Sequence, residues 1–121
     1  MDCLFCKITS GEIPSYKIYE DDIVVAFLDI NPTSKGHTLI IPKKHYQDLY
    51  DIEESVLNHI QKVSKTLSNH ITDKLNCDGI TFVQNNGIAQ EVKHYHLHII
   101  PKYKDNKKDS NLEEIYNILK D

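Results

Sequence analysis

Two periods of apolar residues run along this chain, and each predicts its own kind of element. Ile52, Val56, Ile60, Val63, Leu67, Ile71 and Leu75 recur every three or four positions, which is one stripe of a long helix. Asp51 with Glu54 three residues later resembles a capping box at its start. Glu53, Lys62, Lys65, Asn69 and Lys74 occupy the opposite side, so that side faces water and the apolar stripe lies on a sheet.

Shorter β-rich runs supply the sheet. Residues 17–20 and 23–29 read as a hairpin around Asp21 and Asp22. Residues 37–41 form a third strand ended by Pro42, residues 80–84 a fourth, and residues 94–100 a fifth before Pro101. Residues 31–36 are a loop, and Asn85-Asn86-Gly87 gives a turn able to adopt positive φ. A short helix over residues 4–10 stops at Gly11 and Pro14, and a lysine-rich polar segment from 102 to 110 leads to a last short helix around 112–119. The order predicts an α+β fold: a mainly antiparallel five-stranded sheet with one long and two short helices, and no internal repeat.

At 121 residues and 40% hydrophobic content the chain has material for one core, and a single domain is expected. It contains no run of about 18 apolar residues and no basic-then-apolar leader, so a cytoplasmic protein without a membrane partner is expected. The formal charge of −4 argues against nucleic acid as a partner, because a nucleic-acid binder carries a basic face. Three cysteines, two of them in a Cys-x-x-Cys pair at Cys3 and Cys6, favour metal or redox use over a disulfide framework.

Three of the seven histidines fall within residues 94–98. In a strand they alternate with Tyr95, Leu97 and Ile99, so all three imidazoles project from one face. They can be read as an ordinary polar strand face, as metal ligands, or as a nucleophile with two helpers. The first is an odd choice where Thr, Lys or Ser would serve. A single three-histidine metal site is disfavoured, because the three positions span about 13 Å of strand against bonds of about 2 Å. In the third reading the middle imidazole attacks and its neighbours orient substrate or handle protons.

The run His94-Tyr95-His96-Leu97-His98-Ile99-Ile100 resembles the signature of the histidine triad family of nucleotide-binding proteins. The likeness extends to Cys-Leu-Phe-Cys-Lys-Ile at 3–8, Gly-Glu-Ile-Pro-Ser at 11–15, Ala-Phe-Leu-Asp-Ile at 26–30, Gly-His-Thr-Leu-Ile-Ile-Pro-Lys-Lys-His at 36–45 and Asn-Asn-Gly at 85–87. It covers about residues 1–103 and leaves the polar segment and last helix outside. The resemblance implies a nucleotide hydrolase in which His96 attacks the α-phosphorus of a purine nucleotide conjugate and forms a nucleotidyl-histidine that water cleaves. The conjugate is a nucleoside phosphoramidate or a dinucleoside polyphosphate. A neutral imidazole suits this role when its other nitrogen is held as N–H, in the family by a backbone carbonyl.

The same resemblance places His98 and His37 at the α-phosphate, where they stabilise transition-state charge. Asp29 resembles the acceptor of both ribose hydroxyls, its alternative being a turn cap before Pro32. Phe5, Ile8, Ile13, Phe27 and Ile30 match positions that enclose the base, though each could equally be core. Asn85 and Gln90 match positions that bond the phosphate and the leaving-group side. Cys3, Cys6, His45 and His94 look like the ligands of a structural zinc in the zinc-containing branch, while Cys77 reads as a buried small hydrophobe. Glu91 stands where the phosphoramidase branch has a serine. Relatives of this size imply a homodimer, and a rival implication is a nucleotide-binding regulatory protein whose hydrolysis is incidental.

Overall fold

The computed structural model describes residues 3–105 and 111–120. Five strands, β1 (Lys17–Glu20), β2 (Val24–Leu28), β3 (Thr38–Pro42), β4 (Gly79–Val83) and β5 (Leu97–Lys102), form one sheet in the order β1-β2-β3-β5-β4. Every neighbouring pair is antiparallel. Three helices accompany it: α1 (Leu4–Thr9), α2 (Glu54–Leu75) and α3 (Leu112–Leu119), with a 3₁₀ turn at Gly87–Ala89 that the sequence pattern does not announce.

The α2 stripe lies on the sheet as its period requires. Ile60, Val63, Leu67 and Ile71 pack against Val24, Ala26, Leu28, Ile40, Leu97 and Ile99, and α3 adds Ile115 and Leu119 to the same core. Alternate residues of the same strands, Val25, Phe27, Leu39 and Ile41, face the other way and meet Phe5 and Ile8 of α1. With cover on both faces, β2 and β3 are buried at every position and read as continuous apolar runs rather than alternating ones. The three helices make no helix long and apolar enough to cross a membrane among the described residues.

Four local expectations are revised. Asp51 does not cap α2: its carboxylate accepts from the N–H groups of Gln47 and Asp48 in the preceding turn, and the N-cap residue is Glu53, whose side chain makes no capping bond. Pro42 is the last residue of β3, as expected, whereas Pro101 lies inside β5, which runs on to Lys102. The β3–β5 ladder spans Thr38–Ile40 against Leu97–Ile99 and stops short of both prolines, so no prolyl N–H is needed between these two strands. Strand β5 begins at Leu97, so His94 and His96 precede it, and His37 likewise precedes β3. Of the polar segment, Lys102 belongs to β5 and residues 106–110 lie outside the described residues.

Candidate functional site

The loop joining β2 to β3 brings Asp29, Thr33 and His37 beside the start of β5. Gly36, at φ +89° and buried, turns the chain into β3, and a Cβ there would come within 2.6 Å of Leu75 Cδ1. His37 is 4% exposed, and its ring nitrogens are both engaged. The Thr33 N–H donates to Nδ1 at 3.0 Å, so Nδ1 carries no proton and the neutral ring holds its hydrogen on Nε2. Nε2–H then donates to His98 Nδ1 at 2.9 Å. His98 is thereby fixed with its own proton on Nε2. Burial, helped by the neighbouring His96 and His37, lowers the His98 pKa to about 4, and burial lowers that of His37 against the opposing pull of Asp29.

His96 is set the opposite way. Its Nδ1 lies 2.8 Å from the His94 carbonyl, which can only accept, so Nδ1 is protonated and Nε2 keeps a lone pair. The Phe5 ring meets the imidazole edge-on at 5.0 Å between centroids, and the His98 ring flanks it at the same separation. His96, His98 and His37 all line a cavity of about 620 Å³. Phe5, Ile8, Ile13 and Phe27 form its apolar part, and Ile30, 71% exposed, stands at its rim. Asp29 lines it too: Oδ1 accepts from the Asn31 N–H at 2.8 Å, which is the turn-capping role, while Oδ2 sits 3.6 Å from His37 Nε2. Asn85 and Glu91 line it as well, with Ser15, Asn31 and Thr33.

Gln90 is placed otherwise. It is 6% exposed, stands outside the cavity lining, and spends its carboxamide on the loop: Oε1 accepts from the Gly87 N–H and Nε2 donates to the Gln47 and Val92 carbonyls. It braces the 87–92 segment that carries Glu91.

His94 parts company with the other two histidines. Its ring is fully buried, and Nε2–H donates to the Pro42 carbonyl at 2.9 Å, which aims the unprotonated Nδ1 at Cys3 Sγ (3.4 Å) and Cys6 Sγ (3.6 Å). His45 Nδ1 lies 3.3 Å from Cys6 Sγ, and the four ligand atoms fall within 4.8 Å of one another. A tetrahedral zinc with bonds of about 2.3 Å to sulfur and about 2.0 Å to nitrogen separates S and N ligands by roughly 3.5 Å. The donor set and spacing therefore fit such an ion, and the Pro42 carbonyl is the outer partner that a metal-bound imidazole uses to fix its tautomer. Asp29, His37 and His98 also converge, but they do not fit a metal: the Thr33 bond puts the proton of His37 on the nitrogen that would have to ligate. The three imidazoles of the 94–98 row do not converge on one point either, because His94 turns to the cysteine pair while His96 and His98 line the cavity.

The sequence gives no signal for two of these partners. Thr33 acts through its backbone N–H and Pro42 through its carbonyl, groups every residue type carries. Only the loop geometry shows them.

Comparison with known proteins gives the same picture. The HIT domain family model matches residues 10–105. An uncharacterized HIT-like protein of Methanocaldococcus jannaschii is 46% identical over 119 residues, covering 96% of this chain and 91% of that protein. The adenosine 5′-monophosphoramidase of Saccharomyces cerevisiae is 47% identical over 102 residues, covering 83% of this chain and 62% of that protein. A crystal structure of a zinc-bound histidine triad family protein from Mycobacterium smegmatis superposes with a TM-score of 0.92 at 35% identity, covering 99% of this chain and 91% of that one. Sequence and fold agree, and the chain belongs to the histidine triad (HIT) family.

Proposed function

We propose that this protein is a nucleotide hydrolase that cleaves purine nucleotide conjugates at the α-phosphate through a nucleotidyl-His96 intermediate. The observation that carries the reading is the polarity of the histidine row: His96 keeps a bare Nε2 beside His98, whose proton is held on Nε2, in one cavity. A nucleophile thus adjoins a neutral hydrogen-bond donor for phosphate oxygen. The name of the yeast relative supports the reaction class.

In the first half-reaction the His96 Nε2 lone pair forms a bond to the α-phosphorus. The P–N or P–O bond to the leaving group breaks, and that group departs with the bonding pair and takes a proton from water. In the second, water attacks phosphorus, the P–Nε2 bond breaks, a proton goes to solvent, and the nucleoside monophosphate leaves. His98 Nε2–H donates to the phosphate throughout, and His37 acts by holding the His98 tautomer. Asp29 accepts the ribose hydroxyls through the lone pairs that the Asn31 bond leaves free, and Phe5, Ile8, Ile13, Phe27 and Ile30 take the base. Asn85 holds a phosphate oxygen; Gln90 contributes through the loop it braces.

Cys3, Cys6, His45 and His94 would hold a zinc ion, which supplies a structural clamp between α1 and the segment that leads into β5. Association as a homodimer belongs to the same reading and is measured by light scattering.

The decisive test mixes the native protein, His96→Ala and His96→Gly with an adenosine phosphoramidate, then follows adduct mass after acid-free quench together with release of AMP. An AMP-sized adduct or turnover confined to the native protein is expected. Equal turnover in all three overturns the mechanism.

A further inference from the structure

The charged groups around the cavity are unequal in sign. Two carboxylates, Asp29 and Glu91, line it, and among the described residues no lysine does. The histidines do not redress this, because the bonds traced above hold His37 and His98 neutral. A cavity built to receive a polyanion would place cations where the anion goes, since phosphate groups are neutralised by Lys, Arg or metal. This one offers neutral donors for a single phosphate and negative charge on either side.

The two carboxylates stand at opposite ends of the histidine row. Asp29 lies at the His37 end, 3.6 Å from its Nε2. Glu91 lines both the main cavity and, with Leu4 and Val92, an adjoining concavity of about 480 Å³ that holds Cys3, His45 and Lys93. It therefore sits past His96 toward the His94 end, away from the ribose carboxylate. The Lys93 ammonium in that concavity is bonded to the Gly87 carbonyl. The Glu91 side chain makes no hydrogen bond or ion pair among the described residues, and it is exposed.

We infer that Glu91 is a specificity-determining residue for the leaving group. It selects conjugates whose leaving group carries a positive charge, such as an amine with a second, protonated amine, and disfavours anionic leaving groups, polyphosphates included. The inference rests on the hydrolase reading for the position of the phosphate and deepens it by naming the leaving-group class. An exposed carboxylate about 4 Å from a unit charge changes a rate or binding constant by roughly three- to tenfold, and salt reduces the effect.

The test uses AMP joined through a P–N bond to ethylenediamine, to ethylamine and to glycine, so that the free end is cationic, neutral or anionic at nearly constant size. The kcat/KM of each is measured for the native protein, Glu91→Gln and Glu91→Lys, and the equilibrium affinity of each is measured on His96→Ala with and without the same changes at 91. The native order is expected to be cationic over neutral over anionic, by roughly three- to tenfold per step. E91Q flattens the order, E91K reverses it, and high salt compresses it. An order that is the same in all three proteins overturns the assignment. Binding ordered by charge and reversed by E91K sustains it even if no bond is broken, an outcome that would overturn the hydrolase reading alone. Hydrolysis of all three conjugates without dependence on residue 91 leaves that reading standing and removes this one.

Discussion

Replacing Gly36 with alanine tests whether the turn before His37 is shaped by the close approach of α2. At φ +89° an L-residue is strained, at a cost of roughly 1–2 kcal/mol. The added Cβ would also lie 2.6 Å from Leu75 Cδ1 and 3.4 Å from Pro101 Cγ. Leu75 is only 8% exposed, so its methyl group has little room to retreat, and overpacking of this kind costs roughly 1–3 kcal/mol. Gly11 is the control: its φ is +84°, but a Cβ there meets nothing within 4 Å. Gly36→Ala should therefore lose about 2–5 kcal/mol and Gly11→Ala only the strain of roughly 1–2 kcal/mol. At about 3–5 °C per kcal/mol for a chain of this length, the Gly36 variant melts roughly 6–25 °C lower. Thermal and urea denaturation followed by circular dichroism read both. His37 follows Gly36 directly, so the same displacement shifts its ring against His98 and lowers nucleotide turnover. Equal destabilisation of the two variants, within about 0.5 kcal/mol, would refute the role assigned to the contact.

Asp21 gives a second measure of the fold. Burial alone would raise its pKa, but bonds from Val24 N–H, His59, Ile23 N–H and the Tyr19 hydroxyl outweigh it and hold the carboxyl far below the usual range. Asp21→Ala should cost roughly 2–3 kcal/mol at neutral pH, and that difference should vanish once pH falls through the folded-state value, where the native carboxyl is protonated too. For the metal cluster, elemental analysis of zinc-loaded protein after gel filtration should find one ion per chain, lost in Cys3→Ser with Cys6→Ser. Zinc at a thousandfold its dissociation constant contributes about 4 kcal/mol, so chelation should lower the melting temperature; a native protein that retains no zinc would sink the site. The neutral His98 predicts an acid slope. Its pKa is about 4 when folded against an unperturbed value near 6.5, so the unfolded chain binds more protons between these limits and stability falls as pH falls through them. His98→Gln should show a shallower decline over that window in melting temperature against pH.

The strands and helices were legible wherever one physical period dominated. The α2 stripe gave its extent and its buried face, and the apolar runs at 23–29 and 37–41 gave β2 and β3 as strands, while their cover on both sides shows only in the packing. Local signals misled where a polar side chain had a nearer partner: Asp51 has the spacing of a cap, but its oxygens are taken by the turn that precedes the helix. Pro42 does end its strand, but Pro101 stays within β5 because the β3–β5 ladder has already stopped at Ile99, a fact of topology. At the site, alternation put three imidazoles on one side and the resemblance divided their roles. It implied the backbone carbonyl that holds His96, but not how the other rings are oriented, since His98, His37 and His94 are set by hydrogen bonds that include particular backbone groups or one another. Gln90 shows the same limit, being near the site in sequence and spent on the loop in space.

Residue 94 is joined to two neighbours by different parts of itself. Its imidazole reaches the cysteine pair, while its carbonyl oxygen fixes the proton on His96. Only the first of these depends on which amino acid stands there, because every residue carries a carbonyl. A chain could therefore exchange the imidazole at 94, together with the cysteines, for ordinary packing residues and still present the same lone pair to a substrate. Loss of the cysteine–histidine cluster and loss of the bare His96 lone pair are separable changes in this architecture, even though the two imidazoles are two residues apart.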